Sequence, residues 1–385
     1  TSLKQAAFLQ SNVYITVFGG SAGCLDATAE YLSPTGWKSI SDYDGGLVSQ
    51  YNHDNGNLEL VQPLEYIKKP IDKFHRMVAR GLDFILSPEH RVPYFNDHDQ
   101  SKVKVITFQE VMDRHNKSLT KGWTGAIKTT FNVDRKGFML NGELVSDDML
   151  RLLVAIQADG SIGKGKATYI RFSKDRKDIR LKTILESLGI DYKRTALNNE
   201  RYTNGLEITY KFYIDYRTKF FDAIWYDCNQ HQLEVIMSEV GYWDGSFIKN
   251  QNGLTICYSC RFKHNIDFIQ YASHACGYNS SVAKDNRLNK YTDEFWSLNC
   301  TKTGNGFRRF ANKDGKCEIT EYPATDGFKY CFSVPSSFFV VRQNNKIFIT
   351  GNSGKSYQSL LRFLRWVHDP NFVGYVVRKN ASDLK

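Results

Sequence analysis

Three residues at two distant points of the chain carry side chains that can break and remake peptide bonds. Cys24 follows Gly23, and attack of its thiol on the Gly23 carbonyl would convert the amide into a thioester. Asn352 can attack its own carbonyl and cleave the chain after itself, and Ser353 can take the acyl group from the thioester. A cysteine, an asparagine and a following serine in this order predict a segment that excises itself and joins its two flanks.

The flanks of that segment complete one nucleotide-binding motif. Positions 17–23 read VFGGSAG and positions 353–356 read SGKS, so that direct joining gives GGSAGSGKS, the spacing of a phosphate-binding loop. Such a P-loop needs consecutive backbone N–H groups around the phosphates, which excludes a working site with the long segment retained. After joining, we expect ATP and Mg²⁺ to be bound by four residues of this loop: Gly20, Gly354, Lys355 and Ser356.

Two Asp-Gly pairs lie in the middle of the chain. ADGS at 158–161 and WDGS at 243–246 each follow an apolar helical pattern and precede a strand pattern. A single Asp-Gly is usually a turn, but two copies in the same setting predict a domain with pseudo-two-fold symmetry. If the two helices pair, Asp159 and Asp244 come together, and carboxylates so placed bind Mg²⁺ that activates water.

The stretch after the first Asp-Gly pair is strongly basic. Residues 160–194 carry ten lysines and arginines against four acids, a surplus that suits DNA phosphates as well as an ordinary solvated face. Lys174 and Lys263 are further candidates for assisting water activation. The whole chain has a formal net charge of +10, which permits a polyanionic partner.

Composition excludes several classes of protein. A hydrophobic fraction of 41% and an aromatic fraction of 14% over 385 residues predict a folded chain with more than one core. No apolar run approaches the roughly 18 residues of a membrane span, so we expect no membrane partner. Eight cysteines without a secretory signal predict reduced thiols in a cytoplasm, and Cys257 and Cys260 lack a second pair at zinc-finger spacing. The opening Thr1 and the abrupt end suggest a fragment of a longer protein.

The pattern of elements predicts a β fold interrupted by an α/β insertion. Short strands and turns dominate up to about residue 140, helical patterns alternate with strands from about 146 to 310, and strands return after 317. The flanks read as strand, P-loop, helix and strand, which are pieces of an α/β ATPase. The predicted boundaries are 1–23, 24–145, 146–312, 313–352 and 353–385.

The two ends of the long segment resemble the splicing blocks of inteins. CLDAT at 24–28 resembles the first block, and SPEHR at 87–91 resembles the second, with Ser87 at the position of its usual threonine and His90 at the position of its histidine. The resemblance implies a mostly-β, horseshoe-like Hint domain that splices as a monomer without a cofactor. It also implies that His90 strains and protonates the upstream scissile amide.

The 25 residues at 329–353, which end with the second junction and Ser353, resemble the final intein blocks. Cys331 stands at a position usually held by an aspartate that coordinates the steps. Gly351 replaces the usual penultimate histidine, which assists cyclisation of the asparagine, so this departure affects the expected speed of downstream cleavage.

The Asp-Gly segments and the flanks resemble two further families. The segments resemble LAGLIDADG homing endonucleases, which implies an α/β domain, catalytic and metal-binding roles for Asp159 and Asp244, Mg²⁺, and double-stranded DNA of an intein-free host gene as substrate. The joined flanks resemble the ATPase start of phage terminase large subunits, which implies phage packaging partners and the cytoplasm of a bacterial host. Two alternatives stay open: a splicing segment whose endonuclease has decayed, and a stand-alone DNA-binding or nuclease protein.

Overall fold

The structure is a computed structural model that describes residues 23–96, 99–117, 125–200, 205–250, 253–285, 294–302, 306–310, 317–351 and 368. It is mostly β, with 46% of residues in strands and 23% in helices. Among the described residues, no helix is both long and apolar enough to cross a bilayer.

The part of the chain before the first Asp-Gly pair is built from short strands and one helix. Its elements are β1 (Glu30–Ser33), β2 (Gly36–Ser39), β3 (Val48–Tyr51), β4 (Asn57–Val61), β5 (Glu65–Pro70), β6 (Lys73–Ala79), β7 (Leu82–Leu86), β8 (Arg91–Asn96), β9 (Asp99–Thr107), α1 (Phe108–Lys117), β10 (Gly125–Lys128), β11 (Asn132–Val133), β12 (Met139–Leu140) and β13 (Glu143–Leu144).

The middle of the chain contains the same series of elements twice. The first copy is α2 (Asp147–Asp159), β14 (Gly160–Ile162), β15 (Ala167–Phe172), α3 (Asp175–Ser187), β16 (Tyr192–Asn198) and β17 (Leu206–Tyr213). The second copy is α4 (Gln230–Val240), β18 (Gly245–Asn250), β19 (Gly253–Cys260), α5 (Lys263–Ala275), β20 (Asn279–Asp285) and β21 (Phe295–Thr301). Each copy forms a four-stranded sheet in the order first, second, fourth, third, as the internal sequence repeat predicts.

The chain then returns to the first fold. Its last described strands are β22 (Phe307–Arg309), β23 (Glu318–Pro323), β24 (Phe328–Ser333), β25 (Phe338–Gln343) and β26 (Lys346–Gly351). Within the described residues, β25 and β26 sit at the centre of an eleven-stranded sheet, ordered β11-β4-β3-β25-β26-β8-β10-β22 with β1, β2 and β9 joined at its sides. Strands from both ends of the chain therefore build one sheet around the insertion.

The hairpin that brings the downstream end into this sheet has a sequence-specific turn. Asn344 and Asn345 connect β25 to β26 and have φ of 48° and 60°. A two-residue loop with two positive φ values is a type I′ turn, which asparagine tolerates better than most residues and which matches strand twist. The turn fixes the register of β26 and hence which of its side chains face which core.

β26 separates two hydrophobic cores. Ile347 and Ile349 belong to the core that contains α2 and α4, whereas Phe348 belongs to the core around Cys24. Because side chains alternate along a strand, Thr350 faces the same side as Phe348. The downstream end of the segment is thus delivered into the core that holds the upstream cysteine.

A buried arginine joins the two parts of the protein. Arg342 of β25 donates to both carboxylate oxygens of Glu30, at 2.6 and 2.7 Å, and pairs with Asp267 of α5, while its guanidinium lies 4.8 Å from the ring centroid of Trp37. Its side chain is 3% exposed. Removal of this cation would leave two carboxylates facing each other in a poorly solvated interface.

We expect Arg342→Ala to lower the free energy of unfolding by about 3 kcal/mol, because removing one partner of a buried pair leaves uncompensated charge. Urea denaturation of a splicing-blocked chain would measure it. Arg76→Ala is the matched control, since Arg76 pairs with Asp83 but is 37% exposed and should cost under about 1 kcal/mol. Equal losses in the two variants would contradict the prediction.

Candidate functional site

A tight turn between β7 and β8 carries two of the predicted splicing residues. The N–H of His90 donates to the Ser87 carbonyl at 2.9 Å, and Pro88 occupies the second position, as is common in β-turns. The start of α1 fastens the turn, because Phe108 N–H donates to the His90 carbonyl and Gln109 N–H to the Pro88 carbonyl, each at 2.7 Å. The turn is therefore a rigid platform.

The upstream junction lies directly on this platform. The N–H of Cys24, which belongs to the predicted scissile peptide, donates to Ser87 Oγ at 3.0 Å, and Ser87 N–H donates to the Cys24 carbonyl at 3.0 Å. Gly23 packs against the turn so closely that a Cβ would lie 2.5 Å from the Glu89 carbonyl oxygen. The structure thus brings Ser87 to the amide nitrogen that the reaction must release.

His90 lies between the upstream junction and β26. Its side chain is fully buried, and Nε2 is 2.5 Å from Thr350 Oγ1 on β26. Burial lowers the pKa of His90 to about 4, against smaller opposing effects of the Gly23 backbone and the Glu89 charge, so the imidazole is neutral near pH 7. Nδ1 is buried and forms no hydrogen bond of normal geometry with the described residues.

The end of β26, just before the predicted downstream junction, lies beside the same turn. Gly351 pairs with Arg91 of β8, the residue after His90. A Cβ on Gly351 would lie 3.2 Å from the Arg91 carbonyl oxygen, so the site is tight for the histidine that the intein resemblance leads one to expect there. Asn352 and Ser353 lie outside the described residues.

Cys331 faces the predicted nucleophile across a pair of extended segments. Leu25 and Tyr330 exchange backbone hydrogen bonds of 2.8 and 2.9 Å, which makes Cys24 and Cys331 the adjacent opposing pair. Such non-hydrogen-bonded antiparallel pairs have Cα atoms roughly 4.5 Å apart and side chains on one face. Both thiols are fully buried, and the hydrogen bond to Cys24, together with burial, raises the pKa of the Cys331 thiol well above its ordinary value.

We expect mild oxidation with hydrogen peroxide to join Cys24 and Cys331 in a disulfide, because the opposing Cα atoms fall within the span of about 4.4–6.8 Å that a disulfide bridges. Mass spectrometry of a non-reduced digest of the splicing-blocked Asn352→Ala chain would detect the linked peptides. Cys331→Ser should lose the link and Cys317→Ser should keep it. A digest in which Cys24 links only to other cysteines would contradict the register.

A carboxylate that the sequence analysis did not select holds the first block in place. Asp26 is fully buried and accepts hydrogen bonds from Thr28 N–H at 3.0 Å and Oγ1 at 2.8 Å, and from Thr325 N–H at 3.0 Å and Oγ1 at 2.8 Å. Asp26 therefore ties the residues after Cys24 to the loop that precedes β24. Its place in the CLDAT motif was the only available signal.

The two predicted metal-binding acids come together in the middle domain. α2 and α4 pack against each other, with Asp159 as the last residue of α2 and Asp244 immediately before β18. Burial raises the pKa of Asp244 to about 6, and the nearby negative charge of Asp159 acts in the same direction. The helix pairing thus produces the cluster of two carboxylates that the sequence predicts.

The lysines beside these acids are not the predicted ones. Lys177 forms an ion pair with Asp159, and Lys219 Nζ donates to the carbonyls of Ile156 and Ala158 at 3.1 and 2.8 Å. The charges of both lysines act to lower the pKa of Asp244. Lys263 instead pairs with Asp267, and Lys174 is exposed at the start of α3.

Many of the basic side chains at 160–194 form ion pairs with acids of the same domain. Six of the ten cations form ion pairs with nearby acids: Lys166 with Asp215, Arg171 with Glu207, Lys177 with Asp159, Arg180 with Glu239, Lys182 with Glu186 and Arg194 with Asp178. The outer face of the first sheet carries Arg171 and Lys193 from the run, and Lys211 of β17 lies opposite Lys193 on the neighbouring strand. Arg171 lies 4.0 Å from a carboxylate oxygen of Glu207. The corresponding face of the second sheet carries the uncharged residues Ser246, Cys257 and Asn299.

The predicted nucleotide-binding residues lie outside the described residues. They are Gly20, Gly354, Lys355 and Ser356. The nucleotide site therefore stays a prediction from the sequence.

No protein-family model matches the chain. A curated relative, the ribonucleoside-diphosphate reductase subunit beta of Aquifex aeolicus (strain VF5), is 25% identical over 373 residues, which cover 86% of this chain and 50% of that protein. The chain thus spans about half the length of the curated relative it matches. Only 56 of its 385 residues lie outside 24–352, so the match falls mostly within that segment.

Structural neighbours include a split intein and LAGLIDADG homing endonucleases. The AceL NrdHF class 3 split intein, a splice-inactive variant, shows 10% identity and a TM-score of 0.30, covering 86% of this chain and 98% of that one. The homing endonuclease I-DmoI in complex with DNA and calcium shows 12% identity and a TM-score of 0.28, covering 41% and 85%. Similarities of this strength do not define a function, which rests on the residues described above.

Proposed function

We propose that residues 24–352 are a self-splicing protein segment that carries an inserted DNA endonuclease. The observation that carries the proposal is that the upstream junction and Gly351, the residue before Asn352, both lie beside one turn. Gly23 and Cys24 contact the turn at Ser87 and Glu89, and Gly351 pairs with Arg91 one residue further along. Ligation requires the two ends within reach of each other, and this turn supplies that proximity.

The upstream chemistry begins at Cys24. Its thiol attacks the Gly23 carbonyl, and the departing nitrogen is the one whose N–H already donates to Ser87 Oγ. The proton that the Cys24 thiol loses must reach that nitrogen. The neutral imidazole of His90, which lies against Gly23, is placed to relay it by giving one proton to the nitrogen and accepting another in return. Cys331, opposite Cys24 and protonated because of its raised pKa, is placed to hydrogen-bond the attacking sulfur.

The downstream chemistry completes the exchange. Ser353 attacks the thioester and takes the upstream flank, Asn352 then cyclises and releases the segment, and an oxygen-to-nitrogen shift restores the amide. These roles follow from the order of the residues in the sequence. No cofactor enters any step.

The direct test is denaturing electrophoresis and intact-mass measurement of freshly expressed chain. Splicing yields the 329 residues from Cys24 to Asn352 and a ligated product of the 23 upstream and 33 downstream residues. A chain that stays at full length under reducing conditions at several temperatures would overturn the proposal.

We also propose that the middle domain cleaves double-stranded DNA of a host gene that lacks the inserted segment. Its support is that Asp159 and Asp244 come together where the paired helices α2 and α4 end. The carboxylate oxygens of these two residues are ligands that Mg²⁺ prefers. Mg²⁺, when bound there, supplies an activated water and stabilises the leaving oxygen. The outer face of the first sheet, with Arg171, Lys193 and Lys211, attracts the phosphates, whereas the second sheet contributes uncharged contacts.

The flanks, in this proposal, belong to a P-loop ATPase of the phage terminase type that acts with packaging components in a bacterial cytoplasm. Its support is the restored GGSAGSGKS sequence. The curated reductase match concerns mostly the inserted segment, so it does not identify the flanks. Two unrelated hosts that carry related inserted segments would account for both observations.

Nucleotide binding is expected only after excision, because the phosphates need consecutive backbone N–H groups from both flanks. A fluorescent ATP analogue should bind the spliced host, expressed with its remaining sequence, and not the Cys24→Ala, Asn352→Ala precursor. Lys355→Ala in the spliced host is the matched control, and it should also fail to bind. Equal binding by precursor and spliced host would contradict a loop divided between the flanks.

A further inference from the structure

Thr350 is a buried polar residue that the mechanism so far leaves without a role. It lies on β26 between Ile349 and Gly351, it is 1% exposed, and its hydroxyl is 2.5 Å from His90 Nε2. A hydroxyl in a strand that is otherwise buried and apolar is costly unless it forms a hydrogen bond. The contact spans 260 positions of sequence and connects the platform of one junction to the strand that leads into the other.

A neutral imidazole carries a proton on only one nitrogen, and the partner of the other nitrogen decides which. Gly23 packs against His90, where a Cβ on Gly23 would lie 2.2 Å from His90 Cα, and the Gly23 backbone acts to raise the pKa of His90, the direction expected of a nearby carbonyl that favours the protonated ring. A carbonyl accepts only from a protonated ring nitrogen. Since Nε2 faces Thr350, the nitrogen that must carry the proton toward the junction is Nδ1.

We propose that Thr350 is a positioning residue for the splicing reaction: its hydroxyl donates to Nε2 of His90 and so keeps the imidazole proton on Nδ1, where it faces the Gly23–Cys24 peptide. The proposal rests on the proposed splicing function and adds the residue that sets the active tautomer. Without the hydroxyl, Nε2 would have no donor, and the proton could move to the nitrogen that faces away from the junction. Because of Thr350, activation of the upstream junction also depends on correct packing of β26, the strand that precedes the downstream junction in the sequence.

The variants that test this keep the shape of the strand. Thr350→Val preserves the β-branched side chain and removes the donor, and Thr350→Ser restores the donor. In an Asn352→Ala chain, cleavage by added dithiothreitol reports formation of the upstream thioester. We expect Thr350→Val to slow this cleavage by about tenfold or more, in the range of a lost proton-transfer group, and Thr350→Ser to stay within about threefold of the parent.

Two further measurements separate positioning from a merely structural role. In a Cys24→Ala chain, cleavage after Asn352 does not use His90 and should change less than about twofold in Thr350→Val. Nitrogen-15 chemical shifts of His90 in the Cys24→Ala, Asn352→Ala chain should show the Nδ1-protonated tautomer with Thr350 and with Ser, and a mixed or Nε2-protonated population with Val.

The outcomes distinguish failure of the proposed splicing function from failure of the proposed role of Thr350. A parent chain that forms no thioester overturns the splicing function, and the role of Thr350 falls with it. A parent chain that forms thioester, together with a Thr350→Val chain that forms it equally fast, overturns the inference alone. An Nε2-protonated His90 in the parent would also overturn it. A uniform loss of both cleavages together with a lowered melting temperature would show that Thr350 is structural.

Discussion

Replacement of Cys24 by alanine is expected to eliminate ligated product, leaving at most slow cleavage after Asn352. Alanine has no atom that can attack the Gly23 carbonyl, so neither the thioester nor any acyl group for Ser353 can form. Cys24 is also fully buried, with its N–H on Ser87 Oγ and its side chain opposite Cys331. Intact-mass measurement should show a decrease of ligated product of at least about a hundredfold.

Cys257→Ala is the matched control for this experiment. Cys257 is half-buried on the outer face of β19, far along the chain from either junction, and its removal should leave splicing unchanged. Asn352→Ala should give a different result, because the segment then stays attached to its downstream flank. Normal ligation by a Cys24→Ala, Asn352→Ala chain would contradict the proposed splicing function.

Replacement of either Asp159 or Asp244 by asparagine is expected to abolish double-strand cleavage of a plasmid that carries the uninterrupted P-loop coding sequence. Asparagine retains the shape of aspartate but loses the negative charge that holds a divalent cation. Because Asp159 ends α2 and Asp244 follows the end of the paired helix α4, loss of either acid should impair both cuts or leave only a nick. Agarose electrophoresis with Mg²⁺ separates supercoiled, nicked and linear DNA.

Asp215→Asn is the control for the nuclease. Asp215 lies in the same domain and also pairs with a lysine, but its side chain is 75% exposed on the surface. Cleavage that persists in the Asp159→Asn, Asp244→Asn double variant would place the site elsewhere. A parent chain that splices but does not cut at any Mg²⁺ concentration would favour the decayed endonuclease.

The sequence indicated candidate residues for reactions that involve neighbouring positions in the chain. Cys24, Asn352 and Ser353 are recognisable because the reactions involve a residue and its immediate chain neighbours, and the two halves of the P-loop are recognisable because the motif is contiguous once joined. The duplicated helix and Asp-Gly pattern likewise indicated two equivalent halves, since the period of apolar residues encodes helices directly. The order of the domains along the chain followed from the change in that pattern.

The sequence did not indicate which distant residues contact each other in the folded protein. Lys177 and Lys219 belong to a helix and a loop that only packing brings to Asp159 and Asp244. Six cations of the basic run form ion pairs with acids of the same domain. Charge counts along a chain do not report which charges are already paired in space. The prediction that Lys174 and Lys263 lie at the acids therefore has no support in the geometry.

The sequence by itself predicts which bonds of this protein would be broken and joined. Only the tertiary structure decided that residues from the two ends of the segment meet at one place. The register of β26, set by its Asn-Asn turn, places Thr350 against His90 and Gly351 opposite Arg91. The opposing placement of Cys24 and Cys331 is likewise a consequence of pairing between segments about 300 residues apart. Such contacts arise from burial of two cores against the same pair of strands, and no local pattern of residues encodes them.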